Sequence, residues 1–155
     1  MKKPKKKLPQ NLKNILQDIG ENAVLFYLFT RIHSTKWKAF KNLEEAGCDI
    51  VLLNLSKKSK AIKIEVKTRQ GIHSTSKHKD AKIFQVSPLE KKSMDYLICY
   101  WLDHHAFFIV PKEDLGRHDR VRISKSKKGN GYGVNDKYLN NWEPILREIA
   151  NMNKK

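Results

Sequence analysis

The sequence predicts an α/β domain, a mixed central sheet flanked by helices. Three observations lead there. Apolar residues recur at helical spacing across residues 11–30. Short β-branched and aromatic runs then follow one another, separated by polar loops. Between those runs lies one strong helix-start signal, Ser87-Pro88-Leu89-Glu90.

Residues 1–9 read as a flexible basic arm, rich in lysine and carrying Pro4 and Pro9, and residues 10–155 as a single domain. From Asn11 to about Thr30, Leu12, Ile15, Leu16, Ile19, Ala23, Phe26, Tyr27 and Thr30 lie three and four apart, as one face of a helix requires, with Asn11 as its N-cap. Gly20 interrupts that helix at a cost of about 1 kcal/mol relative to alanine, and its missing side chain lets another backbone or a substrate come close.

Trp37 to Phe40 alternates as a first strand. Asp49 to Leu55 and Ala61 to Thr68 form the next two, and the short loop Ser56-Lys57-Lys58-Ser59-Lys60 makes them an antiparallel hairpin. Alternation places Ile62, Ile64 and Val66 on one face of the last strand and Lys63, Glu65 and Lys67 on the other. Arg69 to Lys82 reads as a polar, basic loop. A helix starts at Ser87 and runs to about Asp95. Tyr96–Leu102 and Ala106–Val110 are strands joined by the turn Asp103-His104-His105, and a helical turn follows near Glu113. Lys125 to Gly133 is a basic, glycine-containing loop, and Tyr138 to Met152 a terminal helix.

The 155 residues are enough for a real core, and the net charge of +16 points to a polyanionic partner. No apolar run approaches the roughly 20 residues of a spanning helix, which argues against a membrane protein. No secretory signal is visible, and Cys48 and Cys99 each sit in an apolar segment without a CxxC partner. A cytoplasmic chain with two buried free thiols is the expectation. The six histidines lack zinc-ligand spacing, and Trp37, Trp101 and Trp142 read as core residues.

The chemistry concentrates in Gly47-Cys48-Asp49-Ile50-Val51 and Ile62-Lys63-Ile64-Glu65-Val66-Lys67. A hairpin brings Asp49 beside Glu65, and Lys67 projects from the same face as Glu65. Two carboxylates and a strand carbonyl, that of Val66, suit a hard cation such as Mg²⁺, and a lysine beside them can position water or offset developing charge. A cross-strand ion pair on a solvated face has the same spacing. Charges committed to strands that are otherwise apolar tilt the balance toward a functional site.

These two segments resemble the core motif of the PD-(D/E)XK nuclease superfamily, which includes Holliday-junction resolvases, type II restriction enzymes and repair nucleases. The resemblance covers roughly residues 12 to 110, with Cys48 standing where the motif's proline is usual. It implies a restriction-endonuclease-like fold and a Mg²⁺-dependent DNA endonuclease, with Mn²⁺ as a substitute and RNA not excluded as substrate. It also implies a glutamate from the preceding helix, matched by Glu21, and a glutamine ahead of the helix after the Glu-x-Lys strand, matched by Gln85. A homodimer follows from the same likeness. The catalytic set is then Asp49, Glu65, Lys67, Glu21 and Gln85, with Asp49, Glu65 and the Val66 carbonyl holding metal. Lys57, Lys58, Lys60, Arg69, His73, Lys77, Lys79, Lys125, Lys127 and Lys128 are the expected DNA contacts, mostly to phosphate. Lysine outnumbers arginine, which favours backbone grip over base readout. The rival reading is a non-catalytic nucleic-acid-binding protein that keeps the nuclease fold.

Overall fold

The computed structural model describes residues 8–43, 47–57, 60–71 and 80–154. Most of the expected basic arm lies outside them. The elements run α1 (Gln10–Ile32), β1 (Trp37–Lys41), β2 (Ile50–Asn54), β3 (Ala61–Arg69), β4 (Ala81–Gln85), α2 (Pro88–Ser93), β5 (Tyr96–Trp101), β6 (Ala106–Pro111), α3 (Lys112–Leu115), β7 (Arg120–Ser124) and α4 (Glu143–Lys154). Single 3-10 segments lie at Leu102–His104 and Gly133–Tyr138.

The main sheet has the order β1-β2-β3-β5-β6. Its pairs are antiparallel except β3 with β5, which run parallel, so the chain must cross over between them. That crossover carries β4 and α2. Every residue of β5 is buried, which is why Tyr96–Trp101 reads as an unbroken apolar run and not as an alternation. The open edge of β6 is closed by the segment that follows Tyr138. Leu139 bridges Phe108, and Asn140 exchanges hydrogen bonds with Phe107.

Two apolar layers cover the sheet. Val24, Leu28 and Ile32 of α1 and Ile145 and Ile149 of α4 pack with Ile50, Ile62, Ile64 and Ile98 on one side. On the other side Leu97, Cys99 and Phe108 meet Phe84, Ile123 and Tyr132. The three tryptophans belong to these layers, and Cys48 and Cys99 are buried free thiols. Ser87 caps α2 as expected. Its side chain accepts from the Glu90 N–H while the Glu90 carboxylate accepts from the Ser87 N–H.

Four expectations need correction. Asn11 is not a cap, because α1 already begins at Gln10, after Pro9. The buried face of α1 is also turned: Gly20, Glu21, Val24, Leu28 and Ile32 face the sheet, whereas Leu12, Ile15, Ile19 and Phe26 remain exposed. The physical reason is Gly20. A Cβ there would lie 1.7 Å from Thr68 Oγ1 on β3, so only the glycine side of the helix can come so close. Third, the loop expected over Arg69 to Lys82 ends in a strand: Ala81–Gln85 pairs with Arg120–Ser124, to which the sequence assigned no element, as a separate antiparallel ribbon, β4–β7, packed on the second apolar layer. Last, the terminal helix starts at Glu143, five residues later than expected, because residues 133–142 cover the β6 edge.

Candidate active site

Asp49 sits at the head of β2, where its backbone N–H bonds to Ile64 O across the hairpin. That pairing turns its carboxylate toward the middle of β3, and Asp49 Oδ2 accepts the Val66 N–H at 2.8 Å. Glu65 and Lys67 project together, as strand alternation requires, with Lys67 Nζ 2.7 Å from Glu65 Oε1. Glu21 comes from α1 directly after Gly20, is itself buried, and binds Lys41 of β1 through Oε2 at 3.0 Å. The structure therefore assembles Glu21, Asp49, Glu65, Val66 and Lys67 from three elements of the sheet and its covering helix.

Three further residues belong to the cluster and escaped the sequence reading. Gln17 lies one helical turn before Glu21. Its Nε2 donates to Glu21 Oε1 at 2.9 Å and to the Val66 carbonyl at 2.9 Å, with a longer approach of 3.5 Å to Asp49 Oδ2. One neutral amide thus ties together oxygens from α1, β2 and β3. Lys41 bridges Glu21 and Asp18. Glu90, named from sequence only as a cap, holds Lys67 Nζ at 2.8 Å. The i, i+4 spacing of Gln17 and Glu21 was the available signal for the first. Lys41 and Glu90 arrive from other elements and left none.

The electrostatics are those of a crowded, largely buried site. Burial raises the Glu65 pKa to about 8, with Asp49 adding repulsion and Lys67 opposing. Burial likewise raises Asp49 to about 6, against the pull of the Val66 N–H. Burial alone would lower Lys67, but its bonds to Glu65 and Glu90 hold it above the usual lysine value. Glu90 is held below the usual carboxylate range: burial pushes it up, and Lys67 and the Ser87 N–H outweigh that.

Among the described residues no three His, Cys, Asp or Glu side chains stand ready to enclose a metal ion. The donor chemistry nevertheless fits a hard cation. The convergent groups are carboxylate and carbonyl oxygens, and Glu65 Oε2 is buried without a hydrogen-bond partner, an oxygen that a cation would satisfy.

Other expected site residues are placed elsewhere. Gln85 is exposed on β4 because its neighbours Phe84 and Val86 take the inward positions. It does not join the carboxylates, and its Nε2 reaches Asp119 at 3.5 Å. Lys57 and Lys60 lie at the turn end of the β2–β3 hairpin, opposite Asp49, and Lys60 Nζ bonds Met152 O near the end of α4. Arg69 is committed to backbone, donating to Ile83 O and Thr68 O. Lys125, Lys127 and Lys128 are exposed just after β7. Lys58, His73, Lys77 and Lys79 lie outside the described residues. His104 and His105 point to different partners, Tyr132 and Tyr100, as their places in a turn suggested.

No protein-family model and no curated protein matches the sequence. Two solved structures are similar to the chain, and the first matches its fold. A bacterial homing endonuclease, I-Ssp6803I, superimposes with a TM-score of 0.69 at 15% identity, covering 91% of this chain and 96% of its own. A Holliday junction resolvase from the archaeal hyperthermophile Archaeoglobus fulgidus gives a TM-score of 0.47 at 18% identity, covering 70% and 84%. The fold is the restriction-endonuclease-like fold expected from the PD-(D/E)XK resemblance. Among the described residues no helix is long and apolar enough to cross a membrane.

Proposed function

We propose that this chain is a Mg²⁺-dependent endodeoxyribonuclease, with Mn²⁺ able to replace Mg²⁺. The observation that carries the reading is the convergence of Asp49, Glu65, Val66 and Lys67, with Glu21 above them, in one largely buried cluster of a nuclease fold. Asp49, Glu65 and the Val66 carbonyl would hold the cation, and Glu21 would orient the group from the helix side. A cation held there would supply Lewis-acid polarisation of a phosphate and a lowered pKa for a bound water. Lys67, gripped by two carboxylates, keeps its proton and sets a positive charge beside the attacked phosphate. The net charge of +16 draws the polyanion in, with exposed Lys125, Lys127 and Lys128 on phosphates.

A homodimer fits the same reading. Leu12, Ile15, Ile19, Phe26 and Phe29 are exposed on α1 and recur at alternating three- and four-residue steps apart from Asn22, the spacing of a helix–helix seam. A second copy of α1 is the self-complementary occupant. Ile15→Lys with Ile19→Lys is expected to convert a dimer to a monomer in sedimentation.

The test is cleavage with Mg²⁺ or Mn²⁺ of linear duplex, supercoiled plasmid, single strand, four-way junction and RNA. Asp49→Ala, Glu65→Ala and Lys67→Ala should each abolish cutting and leave binding largely intact. Metal-independent cutting, or wild-type cutting by the Lys67 variant, would overturn the mechanism. Tight DNA binding with no cutting of any substrate would favour the non-catalytic binding protein.

A further inference from the structure

We infer that the β4–β7 ribbon is a base-reading element that enters the major groove of duplex DNA, so that the chain selects sequence as well as backbone. This rests on the DNA reading above. The ribbon has two unlike faces. Phe84 and Ile123 are fully buried and anchor it to the protein. The opposite face carries Ile83, Gln85, Arg120 and Arg122, all exposed, in cross-strand pairs Gln85 with Arg120 and Ile83 with Arg122. Two strands about 4.8 Å apart, with their side chains, match a major groove about 12 Å wide.

The residue types suit that groove. Arginine forks match the two acceptors of guanine, glutamine matches the donor–acceptor pair of adenine, and an aliphatic side chain contacts the thymine methyl. In a chain where lysine supplies most of the positive charge, arginines stand on this outer face. Their present tethers are weak. Arg120 bonds its exposed neighbour Asp119 at 3.2 Å, and Arg122 reaches the Ser124 hydroxyl at 3.5 Å. Asp119 also lies 3.5 Å from Gln85 Nε2, so it aligns both readers before DNA arrives. Ile83 is 45% exposed on this otherwise polar face.

The ribbon is tied to the reacting end by one hydrogen bond and by the chain itself. Arg69, two residues beyond Lys67 on β3, donates to Ile83 O. Beyond Gln85 and Val86 the chain reaches Ser87, the cap of the helix that brings Glu90 to Lys67. Lys125, Lys127 and Lys128 follow β7 directly, where flanking phosphates would fix the register.

The test is selection of bound duplexes from a randomised library, followed by affinity measurement on the selected and an unselected duplex. Wild type should enrich a defined sequence. Arg122→Ala, Arg122→Lys and Gln85→Ala should each lower the ratio of selected to unselected binding by roughly ten- to hundred-fold and lose preference at one or two positions. Arg122→Lys keeps the charge and guards against a purely electrostatic or folding effect. Lys127→Ala should weaken both duplexes alike. DNA binding without enrichment of any sequence would overturn the inference, as would an unchanged ratio in the Arg122 and Gln85 variants. Enrichment by a protein that never cuts would defeat the nuclease reading and leave this one standing. No DNA binding at all would defeat both.

Discussion

Glu90 and Lys67 meet at 2.8 Å although one caps a short helix and the other stands on a central strand. The second oxygen of Glu90 accepts the Ser87 N–H, so one carboxylate both starts α2 and fixes the ammonium. Glu90→Gln separates these roles, because glutamine also serves at the third position of a capping box. Stability should change by less than about 1 kcal/mol, because the cap is kept and only the partly exposed ion pair to Lys67 is weakened. The Lys67 pKa should fall, and with it the alkaline limit of the cleavage pH profile. Unchanged Lys67 titration, followed by NMR, would show that Glu90 serves the helix alone.

Gln17→Ala removes the amide shared by Glu21, Val66 and Asp49. The protein without metal should lose about 1–2 kcal/mol, since two good hydrogen bonds go and buried acceptors stay. Mn²⁺ should bind more tightly, because a cation no longer competes with the amide for the same oxygens. Calorimetric titration reads the affinity. A weaker Mn²⁺ complex would mean that the glutamine itself ligates.

The Glu65 pKa of about 8 makes folding pH-dependent in a stated direction. Between the ordinary carboxylate pKa and about 8 the unfolded chain is charged and the folded one protonated, so stability falls as pH rises through that window. Asp49, raised to about 6, acts in the same sense at lower pH. Glu65→Gln should therefore raise the Tm of the metal-free protein by roughly 10 °C or more at pH 8, from about 1.4 kcal/mol per pKa unit and a few degrees per kcal/mol. The gain should vanish below pH 4. A gain that persists there would place its cause outside Glu65 ionisation.

Gly20→Ala should gain about 1 kcal/mol of helix propensity and still destabilise, by roughly 3 kcal/mol or more, because the new Cβ meets Thr68 Oγ1 at 1.7 Å. Thr68→Ala in the same chain removes Oγ1 and leaves the Thr68 Cβ at 3.0 Å, so rescue should be partial and non-additive. Denaturant unfolding of the two single variants and the double variant checks this. Additive effects would mean that the helix simply shifts aside.

Asp49, Glu65 and Lys67 were legible because strand alternation and a short hairpin loop determine where they point. The antiparallel pairing of β2 with β3 was legible for the same reason. The helix face was not. α1 is apolar on two sides, so periodicity alone could not choose between Leu12-Ile15-Ile19 and Val24-Leu28-Ile32, and a steric contact at Gly20 made the choice. β4 and β7 were hidden because half of each strand is polar and faces outward, and their pairing joins segments far apart in sequence. Glu90 and Lys41 were missed because tertiary folding, and no local pattern, carries them to the carboxylates.

The contact between Gly20 and Thr68 also makes α1 a lever with its fulcrum beside its working residue. A helix that tilts about that point moves each residue in proportion to its distance along the axis. Glu21 is one residue away, about 1.5 Å of rise, whereas Leu12 is eight residues away, about 12 Å. A tilt that carries Leu12 by a full ångström displaces Glu21 by roughly an eighth of that. The outer end of α1 can thus accommodate whatever it meets while the carboxylate next to the pivot keeps its aim.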